Sequence, residues 1–176
     1  MIRFLLCAIL TVWLIGCVST EPPRLPLSVA ASSTDSNGYG WHMAVAPTGL
    51  AKLTMTKWDP DPDARESKRE FRISEEQFRK LAVVLQQESF FSLKSEYGQI
   101  VPDGGNQTIT VRQGDKGMTV TLHFLMNWVY SAPWKLGRPA RALKVFSVVR
   151  SWIEDGEVPD TTEYEERIFK AAGRKP

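Results

Sequence analysis

The stretch Asn106–Met126, NQTITVRQGDKGMTVTLHFLM, carries a clear strand–turn–strand pattern within this 176-residue chain. Apolar and polar residues alternate from Met118 to Phe124, which is the period of a strand with one buried face. The Gly-rich segment 114–117 has the composition of a tight turn. The stretch therefore predicts two antiparallel strands, over 106–113 and 118–126.

A second hairpin is predicted upstream of this one. Segments 41–46 and 50–58 flank Pro47-Thr48-Gly49, and Leu53 and Met55 alternate with threonines. A charged loop over 59–69 follows, and then a short strand is predicted over 71–73.

Each hairpin is followed by a helical pattern. Ser74-Glu75-Glu76-Gln77 is a capping box, so a helix is predicted from there to about Glu88. Its apolar face consists of Phe78, Leu81, Ala82 and Leu85. Pro139 fits the first turn of a second helix, which runs past Ile153 and ends before Gly156. A short charged helix is predicted over 164–171.

The order of elements, ββ(β)α followed by ββα, predicts the fold class. Hairpins followed by helices give an α+β fold, here an antiparallel sheet of four to five strands with two helices on one face. Residues 39–176 are long enough to form a single domain of this kind.

The N-terminus carries the pattern of a signal peptide. Arg3 supplies a positive charge, and the apolar run 4–15 is interrupted only by Thr11. Such a run is too short to span a bilayer, which takes roughly 20 residues. The run ends in Leu14-Ile15-Gly16-Cys17, which resembles the lipobox of bacterial lipoprotein precursors.

This resemblance implies that residues 1–16 are removed and that Cys17 carries lipid. Two or three acyl chains would hold the protein on a membrane permanently. Val18 stands where an Asp signals retention at the inner membrane, so the resemblance favours the periplasmic face of the outer membrane in a double-membraned organism. Residues 17–38 are Pro-rich and then small and polar, which predicts a lipidated N-terminus and a flexible tether.

The rest of the chain shows a second resemblance. A capped helix ending in Phe90-Phe91-x-Leu93, followed by Tyr97, Asp103 and an Ile-x-Val strand, is similar to a family of small bacterial envelope proteins of unknown function. This resemblance covers 41–153 and implies a fold but no activity.

Cysteine usage and charge exclude several classes of function. The two cysteines are Cys7 and Cys17, so after cleavage and lipidation no thiol is left for a disulfide, a thiolate metal site or a nucleophile. Removal of 1–16 takes away Arg3 alone, which leaves 21 basic against 20 acidic residues. A charge balance so close to zero does not favour nucleic-acid binding.

The remaining polar motifs indicate neither a metal nor a cofactor. Asp59, Asp61, Asp63 and Glu70 match positions 1, 3, 5 and 12 of a calcium loop, but Ala64 stands where a glycine makes the sharp turn. A solvated acidic loop is therefore the favoured interpretation. No Gly-rich loop has the spacing of a phosphate-binding motif.

Catalytic patterns are equally sparse. His42 and His123 lie in predicted strands without a second ligand at helical spacing, and no Gly-x-Ser-x-Gly elbow occurs. An envelope hydrolase acting on peptidoglycan or lipid, with His123 beside Ser131 or Asp103, is one alternative function. A structural spacer is another.

The least ordinary stretch is 127–141, which concentrates aromatic and basic residues in a predicted loop and helix entry. These candidates are Trp128, Tyr130, Trp134, Lys135, Arg138 and Arg141. Such residues dominate the energetics of interfaces and can stack on sugars, anchor a peptide or rest on lipid headgroups. They also cap exposed ends of cores. The preferred interpretation is a non-catalytic, membrane-anchored binding module whose partner is an envelope protein or a glycan.

Overall fold

A computed structural model of the chain describes residues 27–35, 37–57, 59–101, 104–153 and 162–175. The predicted signal peptide, Cys17 and the first part of the predicted tether lie outside these residues, and so does Asp103. No helix in the described part of the chain combines the length and the apolar character needed to cross a bilayer.

The described residues form an α+β fold with one seven-stranded sheet. Its strands are β1 Leu27–Thr34, β2 Gly40–Val45, β3 Leu50–Thr56, β4 Glu66–Arg72, β5 Glu96–Tyr97, β6 Asn106–Gln113 and β7 Lys116–Leu122. They lie in the order β4-β3-β2-β1-β6-β7-β5, and every neighbouring pair is antiparallel except β5 with β7. The predicted class is confirmed, whereas the prediction of four to five strands, all antiparallel, is wrong.

β1 is the central strand, and its position corrects the predicted tether. It pairs with β2 on one side and along its whole length with β6 on the other. Leu27, Val29 and Ala31 are buried, while the residues between them face the other side of the sheet. The alternation of apolar and polar residues is hard to recognise in the sequence, because most residues of this strand are alanine or serine. Residues 27–34 therefore belong to the domain and join its two hairpins into one sheet.

β4 is longer than the predicted strand 71–73 and takes up the end of the predicted charged loop. It is an edge strand whose side chains are mostly exposed, so it reads as a polar segment. Lys52 pairs with Glu70 at 3.0 Å, and Lys68 pairs with Glu66 at 2.6 Å. Charged side chains on an edge strand disfavour pairing with another chain.

In the described part of the chain four helices occur where two helices and a short C-terminal one were predicted. They are α1 Glu75–Gln87, α2 Met126–Ser131, α3 Gly137–Arg150 and α4 Thr162–Ala171, with 3₁₀ turns at Pro62–Ala64, Phe90–Ser92 and Pro133–Lys135. The capping box of α1 is formed, because the Gln77 amide donates to Ser74 Oγ at 3.2 Å and the Ser74 amide donates to Gln77 Oε1 at 2.8 Å. α2 replaces the end of the predicted strand 118–126.

The core lies between α1, α3 and one face of the sheet. Trp41 of β2 packs against Phe146 of α3, with ring centroids 5.4 Å apart, and Phe78 of α1 meets Trp152 edge-on at 5.9 Å. All four rings are at least nine-tenths buried. Residues on the opposite face of the sheet, such as Ala30 and His42, are half-buried or exposed.

The sheet has two distinct ends, which we call the entry end and the far end. Leu27 begins β1 at the entry end opposite Gln113, whereas Thr34 and Leu122 lie at the far end. α3 finishes at the entry end, because Trp152 meets Phe78 in the first turn of α1, next to the β2–β3 turn at Gly49. α3 therefore starts at the far end, and the segment between β7 and α3 lies there too.

Candidate functional site

The segment that connects β7 to α3 builds a short, well-anchored projection at the far end of the sheet. The Trp128 and Ala132 amides donate to the carbonyls of Leu125 and Trp128, at 2.9 and 3.0 Å. Leu125 and Leu136 are fully buried at its two ends. The fixed φ of Pro133 suits the start of the 3₁₀ turn that follows α2. The backbone between these anchors is thus tied to the core at both ends.

Two aromatic rings on this projection face solvent. Tyr130 is 73% exposed and Trp134 is 77% exposed, and the basic side chains Lys135 and Arg138 beside them are also exposed. In the described part of the chain neither base has a carboxylate partner. We call these four residues the aromatic–basic patch.

Trp128 forms the inner border of the patch. Its indole is half-buried and packs against the core, and the Nζ of Lys135 lies 5.6 Å from the ring centroid. A cation over an indole face is attracted by the ring quadrupole. The contact orients the Lys135 ammonium while its outer side stays open to solvent.

Two side chains of α4 form hydrogen bonds to the segment that carries the patch. Arg167 donates from Nη1 to the Tyr130 hydroxyl at 3.4 Å and also contacts the Glu163 carboxylate, whose hydrogen bond raises the pKa of Arg167. Tyr164 accepts the Leu125 amide at 3.4 Å through its hydroxyl, and burial raises the pKa of Tyr164 to about 12. The start of α2 and the ring of Tyr130 are therefore both tied to α4.

Arg141, the last of the six predicted binding residues, lies apart from the patch. Its Nε is 3.8 Å from Oε2 of Glu88, a buried carboxylate at the end of α1 that also contacts Arg174. This cluster links α1, α3 and the C-terminal tail. Of the six predicted binding residues, Lys135 contacts Trp128, Tyr130 and Trp134 are exposed like Lys135 and Arg138, and Arg141 packs between helices beside Glu88.

The two histidines occupy different environments. His42 is exposed on the open face of the sheet. The Nε2 atom of His123 is buried and has no hydrogen-bond partner among the described residues, while the His123 amide donates to the Tyr97 carbonyl at 2.8 Å. A hydrogen bond between this nitrogen and Ser131, one of the two pairings in the hydrolase alternative, is therefore not formed, and Asp103, the other, lies outside the described residues.

Two carboxylates of the acidic loop accept hydrogen bonds from backbone amides within the loop. Asp59 Oδ1 accepts the Asp61 amide, and Asp61 Oδ1 accepts the Asp63 amide, each at 3.0 Å. Glu70 lies in β4, paired with Lys52. Among the described residues no group of three His, Cys, Asp or Glu side chains is placed to hold a metal ion.

A shallow depression of about 420 Å³ lies on the open face of the sheet. Its floor is formed by small side chains of β1 and β2, including Ala30 and Ala44, and Lys52 and Arg112 stand at its sides. Both cations are exposed, Lys52 is paired with Glu70, and the described lining residues include no carboxylate.

Sequence reasoning missed Arg167, which holds Tyr130, and Glu88, which holds Arg141. The spacing of Glu163 and Arg167 shows their helical pairing, but nothing local connects either residue to α2. No protein-family model matches the chain, and comparison with curated protein sequences also finds no match. The two resemblances drawn from the sequence therefore stay predictions.

Proposed function

We propose that this protein is a non-catalytic lipoprotein of the cell envelope, anchored to a membrane by lipid on Cys17, that binds an envelope partner through the aromatic–basic patch. The observation that carries the binding function is the exposure of Trp134 and Tyr130, at 77% and 73%, beside two cations without carboxylate partners in the described part of the chain.

The exposure of these rings argues against a purely structural role for them. A ring that caps a core is mostly covered, as Trp41 and Trp152 are at 4% and 7% exposure. Leaving two large aromatic side chains in water forgoes roughly 1.5–3 kcal/mol each that burial would provide. A partner that covers them recovers this free energy.

The lipid anchor is supported by the lipobox Leu14-Ile15-Gly16-Cys17 and by the apolar run before it. Feeding cells an alkyne-labelled fatty acid tests it directly. Label is expected on the wild-type chain and is expected to be lost in Cys17→Ser, with Cys7→Ser as the matched control that keeps the label. Equal labelling of wild type and Cys17→Ser would refute the anchor.

Binding by the patch is tested by photo-crosslinking inside cells from a reactive side chain placed at Trp134. A discrete adduct, identified by mass spectrometry, is the expected result. A reactive side chain at Val83, an exposed apolar position on α1, serves as the control and is expected to give no such adduct. A folded, anchored protein that gives no adduct from position 134 would refute the binding function.

A further inference from the structure

The partner of the patch can be inferred from its chemistry, its size and its place in the fold, and this inference rests on the proposed binding function. We propose that the aromatic–basic patch binds an anionic glycan strand of the cell wall, with Tyr130 and Trp134 stacking on sugar rings and Lys135 and Arg138 pairing with carboxylates carried by the strand.

The size of the patch favours a glycan over a folded protein. Two aromatic side chains at about three-quarters exposure offer roughly 300 Å² of contact, whereas a standard protein interface buries about 800 Å² on each partner. A sugar ring needs only one aromatic face, because its polarised C–H groups meet the negative face of the ring quadrupole. Both rings of the patch are accessible for stacking, since each is about three-quarters exposed.

The charges of the patch favour an anionic ligand. Lys135 and Arg138 are exposed, and in the described part of the chain no carboxylate neutralises them. On α4, the Glu163 carboxylate is already engaged with Arg167. A neutral glycan would leave both cations without a partner.

The place of the patch favours a ligand away from the anchoring membrane. The chain enters the sheet at Leu27, and the patch lies at the other end of β1, whose eight residues rise about 23 Å. If Cys17 carries lipid, the anchor joins the domain through Leu27, at the end of the sheet remote from the patch. Cell-wall glycan lies beyond the membrane surface in a bacterial envelope.

The test is co-sedimentation of the full-length, lipidated protein in mild detergent with insoluble peptidoglycan isolated from bacteria. Wild type is expected to sediment, and binding should weaken at least tenfold in Trp134→Ala and in the double variant Lys135→Gln with Arg138→Gln. Added salt should weaken binding of wild type, because the contacts are between exposed charges.

Matched controls separate the patch from general charge. The double variant Lys80→Gln with Lys116→Gln removes the same two positive charges from other exposed positions and is expected to bind like wild type. Equal loss in both double variants would overturn the glycan site, and so would a wild-type protein that does not sediment. Neither result affects the crosslinking test of the proposed function, which detects any partner.

A membrane surface is the rival ligand. The full-length protein is reconstituted into vesicles of phosphatidylcholine and phosphatidylglycerol in equal parts, with a photoreactive side chain at position 134. Absence of lipid adducts is expected. Efficient capture of lipid would refute glycan binding and show that the patch binds lipid headgroups.

Discussion

The Nε of Arg150 lies 3.2 Å from Oε1 of Glu165, and both side chains are more than four-fifths buried. This ion pair joins α3 to α4, the helix that supports the patch. Removing one member of a buried pair leaves the other charged and desolvated, and that costs more than the pair itself contributes.

We therefore expect Glu165→Gln to lower the free energy of unfolding by about 3 kcal/mol, as measured by urea denaturation. Glu163→Gln, two residues away on the exposed side of α4, is the control and should cause no measurable change. Equal stability of the two variants would show that the buried pair is not formed.

A second prediction tests whether β1 belongs to the sheet. Ala31 is 2% exposed and faces the core, whereas its neighbour Ala30 faces the open side. Lysine at position 31 has to bury a charge, so Ala31→Lys should cost more than about 3 kcal/mol, while Ala30→Lys should be tolerated. Thermal unfolding distinguishes them, and a tether would tolerate both substitutions alike.

A third prediction concerns the tryptophans. Trp134→Ala should leave the free energy of unfolding unchanged, because the side chain is 77% exposed, whereas Trp152→Ala should cost about 3–5 kcal/mol. Guanidinium denaturation of both variants measures this. A large loss of stability in Trp134→Ala would mean that the ring caps the core.

A fourth prediction follows from the partial burial of Tyr164. Its folded-state pKa is about 12, above the usual value of about 10, since burial disfavours the tyrosinate. A raised pKa stabilises the fold below pH 10, and this contribution is lost as the pH rises from about 10 to about 12. Over that range the loss is about 2–3 kcal/mol.

Ultraviolet absorbance of tyrosinate, followed in a pH titration together with urea denaturation, tests this prediction. Tyr164→Phe should abolish the late-titrating component and flatten the alkaline slope of stability. A wild-type protein whose tyrosines all titrate near pH 10 while the domain is still folded would contradict it.

A fifth prediction concerns the start of α1. Ser74→Ala removes the acceptor for the Gln77 amide and should cost about 1 kcal/mol in urea denaturation. Ser74→Asp keeps an acceptor at the same position and should retain most of the stability. If both substitutions destabilise equally, the side-chain cap is not the cause.

Elements with a strong local pattern could be predicted from the amino-acid sequence alone. The hairpin around Gly114, the capping box at Ser74 and the apolar face from Phe78 to Leu85 all lie where the pattern places them. Each depends on residues within a few positions of one another, so propensity and periodicity suffice. The same holds for the charged helix α4.

The other elements and the layout of the site depend on contacts between residues that are distant in the sequence. β1 and β4 have weak strand patterns, because β1 consists largely of small residues and β4 largely of charged ones. They form strands because neighbouring strands satisfy the hydrogen bonds of their backbone groups. Likewise, six aromatic and basic residues within fourteen positions predicted a binding segment. Their separation into an exposed patch and an Arg141 bound to Glu88 depends on contacts across more than fifty residues, which no local pattern encodes.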